Sequence, residues 1–152
     1  MFRGITAINI DAKGRMAIPT RYRTCLSEES DNQMVITIDT EEPCLLLYPF
    51  SAWEGVERKI ESLPSFNRAS RRIQRLLIGH ASEVELDANG RLLIPPLLRE
   101  YAVIEKHVIL VGQGKKFEVW SNDLWMKGRD TWLAETFDAN AKMPDELQDV
   151  SL

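Results

Sequence analysis

Two arginines stand at matched points of the chain, each four residues after an aspartate. Asp11-Ala12-Lys13-Gly14-Arg15-Met16-Ala17-Ile18-Pro19 returns as Asp87-Ala88-Asn89-Gly90-Arg91-Leu92-Leu93-Ile94-Pro95, a shift of 76 residues in a chain of 152. An arginine on an exposed loop can bond guanine O6 and N7 bidentately, or hold a phosphate. It can equally pair with the aspartate and only shape the loop, and the residues alone do not choose. Asp11 and Asp87 could suggest acid/base carboxylates, but no nucleophile, metal set or glycine-rich phosphate loop accompanies them. Capping of loop amides is the better account, so no catalytic residue, cofactor or metal site is expected. Gly14 and Gly90 supply a backbone conformation closed to other residues. Lys13, Arg3 and Arg21 add charge to the first copy. The second has Asn89 in place of Lys13, and Leu97 and Leu98 in place of Arg21 and Tyr22.

Each motif needs elements to hold it, and the flanking residues predict them. Ile8 and Ile10 alternate with Ala7 and Asn9, the period of a half-buried strand, and Met16 and Ile18 resume it after the loop. Pro19 suits the first turn of a short helix reaching Leu26. Ile8, Ile10 and Arg23 recur as Val84, Leu86 and Arg99, so the repeat outruns its identical letters.

The chain then reads as follows. Strands are expected at 5–10 and 15–18, a helix at 19–26, a polar loop at 27–33, and strands at 34–38 and 44–48. Ser51 and Glu54 have the spacing of a capping box for a helix with Val56, Ile60 and Leu63 inward. Pro64 ends it. Ser65 is expected to cap a second helix, with Phe66, Ile73 and Leu77 inward and Arg68, Arg71, Arg72 and Arg75 outward; those arginines either meet phosphates or are simply solvated. In the second half, strands are expected at 84–86, 91–94, 107–111 and 117–120, with a helix at 96–103 and a glycine turn at 112–114. Ser121 or Asn122 would cap a last helix bearing Leu124, Trp125, Trp132 and Leu133. From Phe137 the chain turns polar and acidic, a loose tail.

Two repeats follow: residues 1–80, with a barrel part at about 5–52 and then helices, and residues 81–152, with a barrel part at about 81–124, a helix and the acidic tail. Each half is too small to stand comfortably alone. The expected fold is therefore α+β: one intertwined β-barrel built from both repeats, with peripheral helices.

The composition is that of a soluble globular protein, 44% apolar and 28% charged, and no apolar run suggests a membrane span. The start of the chain shows no signal-peptide pattern. Cys25 and Cys44 lack metal-ligand spacing and read as reduced thiols of a cytoplasmic protein. His80 and His107 stand alone and read as structural. The net charge of −4 argues mildly against nucleic acid. Its distribution reverses the argument, because residues 1–25 and 57–75 are locally basic.

The doubled Asp-x-x-Gly-Arg-(apolar)₂-Ile-Pro pattern, with the same plan downstream of each copy, resembles the MraZ family over roughly residues 1–135. The resemblance implies the AbrB-like swapped-hairpin barrel. It implies a bacterial regulator that binds double-stranded DNA at repeated promoter sites. Repression of its own promoter and of the downstream division and cell-wall genes would follow. It further implies a ring-like homo-oligomer, cytoplasmic and nucleoid-associated. Carried over residue by residue, the family's Asp-x-x-x-Arg motif makes Arg15 and Arg91 the DNA contacts, with Asp11 and Asp87 holding the loops. A protein-interaction module of antitoxin-like type, without direct DNA readout, is the rival reading; no small-molecule substrate or membrane is evident in either.

Overall fold

The computed structural model describes residues 1–135, 144–148 and 150. The first half lays down β1 (Phe2–Asn9), β2 (Arg15–Ala17), α1 (Thr20–Ser30), β3 (Gln33–Ile38), β4 (Leu45–Pro49) and α2 (Phe50–Glu61). Next, α3 (Arg68–Ile73) runs on into a π-helical turn at Gln74–Ile78. The second half repeats the plan with β5 (Ser82–Glu85), β6 (Arg91–Leu93), α4 (Pro96–Tyr101), β7 (His107–Gly114), β8 (Phe117–Ser121) and α5 (Asn122–Ala134). A four-residue helix, α6 (Asp145–Gln148), lies in the segment expected to be a loose tail. The rest of that expectation, at 137–143, 149 and 151–152, falls outside the described residues.

Exchange between the halves defines the architecture. One antiparallel sheet has the order β1-β7-β8-β4-β3-β5, and β2 and β6 form a separate ribbon. The outer strand of each half pairs with the hairpin of the other: β1 with β7, from Phe2 opposite Gly114 to Asn9 opposite His107, and β5 with β3. Swapping the halves leaves the strand order unchanged. At the centre of the ribbon Met16 faces Leu92, its own counterpart in the repeat. An approximate twofold axis therefore passes between the halves, and neither half can bury its sheet without the other.

The sheet is covered on both faces. On one face Met34, Ile36, Leu45, Leu47, Val108, Leu110, Phe117 and Val119 pack against Met16, Ile18, Leu92 and Ile94 of the ribbon segments. Tyr22 and Leu26 of α1, with Leu98 and Ala102 of α4, join this cluster. On the other face α2 crosses β3 and β4, and α5 lies over β7 and β8. There Cys44, Ile109, Val111 and Trp120 pack against Leu124, Trp125 and Trp132. Burial on both faces explains the unbroken apolar runs of the central strands. Trp125 and Trp132 meet Trp120 edge-to-face at centroid distances of 5.9 and 5.4 Å, so they serve packing.

Several local expectations are corrected. β1 begins at Phe2, and α1 continues through Ser30, so 27–30 is helix and not loop. Its serines and glutamates are polar without breaking a helix; Asp31 and Asn32, at φ 51° and 61°, end it. Ser51 does not cap α2, because Pro49 precedes the first turn and the Ser51 hydroxyl instead meets Ser30 Oγ at 3.0 Å. Asn67, not Ser65, caps α3 through bonds from the Ala69 and Ser70 amides. Phe66 points outward and is 90% exposed, and Leu63 and Leu133 are exposed as well. Gly112 to Gly114 belongs to β7 rather than a turn. A Cβ at Gly112 would collide with the Arg3 backbone, so that glycine permits close strand approach.

Candidate nucleic-acid interface

Each motif loop is built around its aspartate. Asp11 Oδ1 accepts from the Lys13 and Arg15 amides, both at 2.9 Å, while Oδ2 accepts from Arg15 Nε at 2.7 Å. The Gly14 amide donates to Asp11 O at 3.0 Å, and the Asp11 amide donates to Arg15 O at 3.1 Å. Gly14 sits at φ +86°, a region strained for any side chain. The second loop repeats these bonds. Asp87 Oδ1 accepts from the Asn89 and Arg91 amides at 2.9 Å, and Oδ2 from Arg91 Nε at 3.3 Å. Gly90 lies at φ +72°. The hydrogen bond from the Arg15 amide leads the effects that hold the Asp11 carboxyl down at about 2, below its usual 3.8. Asp87 is lowered likewise, chiefly by the Arg91 amide. Both aspartates are thus fixed as anions by loop geometry.

The ribbon brings the two loops together. Arg15 opposes Leu93 and Arg91 opposes Ala17. Alternation sends Met16 and Leu92 into the core, at 0% and 1% exposure, and leaves both arginines on the outer face. The loops therefore flank a three-residue ribbon, roughly 7 Å long by strand rise. Arg91 Nη1 lies 3.9 Å from Asp11 Oδ2, so the loops also share charge. Arg15 and Arg91 are about one-third exposed, at 30% and 32%. Asp11 takes only the Nε edge of Arg15. Among the described residues, neither terminal nitrogen of Arg15 has a hydrogen-bond partner. The ion pair and an outward contact are compatible: the aspartate aims the guanidinium and leaves its outer edge available.

The other expected cations lie elsewhere. Arg3 sits near the start of β1, six residues from Asn9 at the strand's loop end. Arg21 donates to Thr6 Oγ1 at 3.0 Å and lies 4.7 Å over the Tyr22 ring. Together with Tyr22 and Cys25 they line a separate pocket. Lys13, Arg15 and Arg91 form one group; Arg3 and Arg21 form another. Arg68, Arg71, Arg72 and Arg75 line an open groove beside exposed Phe66.

Arg23 and Arg99 contribute to the loops although the motif reading gives them no role. Arg23 Nε donates to Ile18 O at 2.8 Å, and Arg99 Nε to Ile94 O at 3.0 Å. Their recurrence in register is the signal that marks them in the sequence.

Away from the loops, the Asp39, Cys44 and Glu118 side chains converge beside the β3–β4 turn, a set that could hold a metal ion. The Cys44 thiol donates to Asp39 at 3.6 Å, and burial with nearby carboxylates pushes its pKa up, favouring the neutral thiol. Both cysteines are free. His80 Nδ1 meets Leu76 O at 2.7 Å and His107 Nδ1 meets Asn9 Oδ1 at 2.9 Å. No helix among the described residues is long and apolar enough to cross a membrane.

A swapped α+β sheet carrying two matched Asp-Gly-Arg loops on one ribbon defines a class of two-repeat, swapped-hairpin proteins. The family model described as "MraZ protein, putative antitoxin-like" matches residues 1–76 and again 77–145. The chain is 57% identical to the transcriptional regulator MraZ of Legionella pneumophila (strain Corby) and 58% to that of Coxiella burnetii (strain Dugway 5J108-111), over all 152 residues of both chains. It is 49% identical to the transcriptional regulator MraZ of Halorhodospira halophila (strain DSM 244 / SL1), again over the full length of both. The chain belongs to the MraZ family, whose members named here are regulators and not enzymes.

Proposed function

We propose that this chain is a sequence-specific DNA-binding transcriptional regulator, with the paired loops as its reading element. The observation that carries the reading is Arg15: its Nε is fixed by Asp11 at 2.7 Å and its side chain is 30% exposed beside the second loop. Guanidinium groups held this way suit guanine edges or phosphates. Lys13 adds an exposed cation to the same loop. The regulator names of full-length relatives support the same conclusion.

The targets are part of the same proposal, and the family resemblance motivates them. We take them to be repeated short sites in the chain's own promoter, with repression of that promoter and of the division and cell-wall genes downstream. One ribbon makes few contacts, so a single copy binds weakly. A ring of copies meeting several sites gains about 10²–10⁴ in avidity when its geometry matches their spacing. The same reading places the protein in the cytoplasm, on the nucleoid.

The test is a titration of the promoter fragment against a scrambled duplex, read by fluorescence anisotropy from about 50 to 200 mM salt. The reading expects preference for the promoter and a slope of about −0.9 per phosphate contact. Equal affinity for both duplexes would remove sequence specificity. The family's antitoxin-like description and the groove beside Phe66 favour one second reading, a protein-binding module. A stoichiometric protein partner in a pull-down, together with no promoter binding, selects it.

A further inference from the structure

We infer that Arg23 and Arg99 are positioning residues that lock the two loops crosswise, each fixing the glycine of the other repeat's loop. The geometry is the same in both halves. The Ile94 amide donates to Gly14 O at 3.0 Å, so the segment after β6 holds the first loop. Arg99 Nε caps the carbonyl of that same Ile94 at 3.0 Å. The rest of its guanidinium lies on Gly14, where a Cβ would stand 2.7 Å from Arg99 Cζ. In mirror fashion, the Ile18 amide donates to Gly90 O at 2.9 Å and Arg23 Nε caps Ile18 O at 2.8 Å. The Arg23 guanidinium then covers Gly90, where an added Cβ would collide with it.

Capping a carbonyl within its own repeat requires only Nε of each arginine. The plane pressed on a glycine of the other repeat goes further, and it makes the absence of a side chain at Gly14 and Gly90 a packing requirement as well as a dihedral one. Both arginines are half-buried. Among the described residues no carboxylate pairs with either guanidinium. Each loop therefore receives a positive charge from the opposite repeat. The second loop, with Asn89 where the first has Lys13, gains its extra cation from α1. A loop held from the opposite half loses less freedom on meeting a ligand, which is how preorganisation raises affinity.

Hydrogen exchange of Arg23→Ala and Arg99→Ala tests the crossing, and it does not depend on the DNA reading. Arg99→Ala is expected to speed exchange at Gly14 and Arg15 about tenfold while sparing residues 87–91; Arg23→Ala should do the reverse. Loosening confined to the mutated repeat, or none in either loop, overturns the lock. Arg99→Lys keeps charge and stem without the planar fork and should show the same pattern; full rescue by lysine would reduce Arg99 to a point charge and overturn the proposal. A double-mutant cycle gives a second check. Gly14→Ala should lower the thermal midpoint less in an Arg99→Ala background than in wild type, and by its full amount in an Arg23→Ala background. Equal losses in all three backgrounds contradict the crossing.

Promoter affinity extends the same variants to function, and this step rests on the DNA-binding reading. Arg99→Ala should weaken binding about 3- to 10-fold with the salt slope unchanged. A slope reduced by about 0.9 would make Arg99 a phosphate contact and overturn its positioning role. If wild type binds no promoter, the regulator reading fails while the exchange result stands.

Discussion

The two loops share one frame and differ in what they carry. Both have an aspartate accepting two backbone amides at 2.9 Å, a positive-φ glycine and an arginine at matched positions. The first closes its ion pair at 2.7 Å and the second at 3.3 Å. The first presents Lys13, the second Asn89. Beyond the loops, Leu97 takes the place of Arg21 and is 64% exposed, while Leu98 takes that of Tyr22 and is 1% exposed. Positions that shape backbone or fill the core are thus held to a physical type in both copies. Positions that only add charge have diverged. The first loop is the stronger candidate for reading DNA, and the second for completing the platform.

That asymmetry can be broken at several points. Short of removing an arginine, the largest effect should come from Asp11→Ala, which removes the bonds to Lys13 N, Arg15 N and Arg15 Nε. Promoter affinity should fall about 10- to 100-fold, the worth of one well-aimed bidentate contact, and Asp87→Ala should cost less. Equal losses at both aspartates would show that the loops share the reading equally.

A smaller effect is expected from Asn89→Lys, which gives the second loop the cation it lacks. Affinity should rise a few-fold and the salt slope should steepen by about 0.9 if the new ammonium meets a phosphate. An unchanged slope would place this loop away from the DNA backbone.

The smallest effect is the pH response near neutrality. Both carboxyls are lowered, so the ordering they provide is complete above their ordinary value of 3.8. It is lost as pH falls, for Asp11 through about 2. Carboxyl titrations followed by NMR should show no change in either aspartate between pH 5 and 8. A midpoint for Asp11 above its ordinary value would contradict the hydrogen-bonded loop.

Much of this arrangement is legible in the amino-acid sequence. The repeat identifies the loops, the short strands that follow them and the short helices, because Asp, Gly, Arg and Pro there serve fixed backbone geometry; the pairing of β2 with β6 is seen only in the structure. Strand alternation placed Met16 and Leu92 in the core. Caps and boundaries were less legible. Ser51 and Ser65 have capping chemistry, yet a helix takes the cap that its entry angle allows, and Pro49 and Asn67 stand at the actual starts. Phe66 is apolar but exposed, since helical spacing cannot say where an element's packing ends. The separation of Arg3 and Arg21 from Arg15 was hidden for a simpler reason. Arg3 lies back along β1, at about 3.3 Å per residue, and Arg21, on α1, is drawn to Thr6 of that strand. The crossed contacts of Arg23 and Arg99 depend on strand exchange between halves, which no local pattern encodes.

The most direct test of the paired-loop account compares Arg15→Ala with Arg91→Ala on promoter DNA by anisotropy, with light scattering to show that both variants assemble as wild type does. The account predicts that intact Arg15→Ala assemblies lose binding by about 100-fold, and that Arg91→Ala loses about tenfold or less. Undiminished binding by Arg15→Ala would contradict it and move recognition to the arginine face of α3.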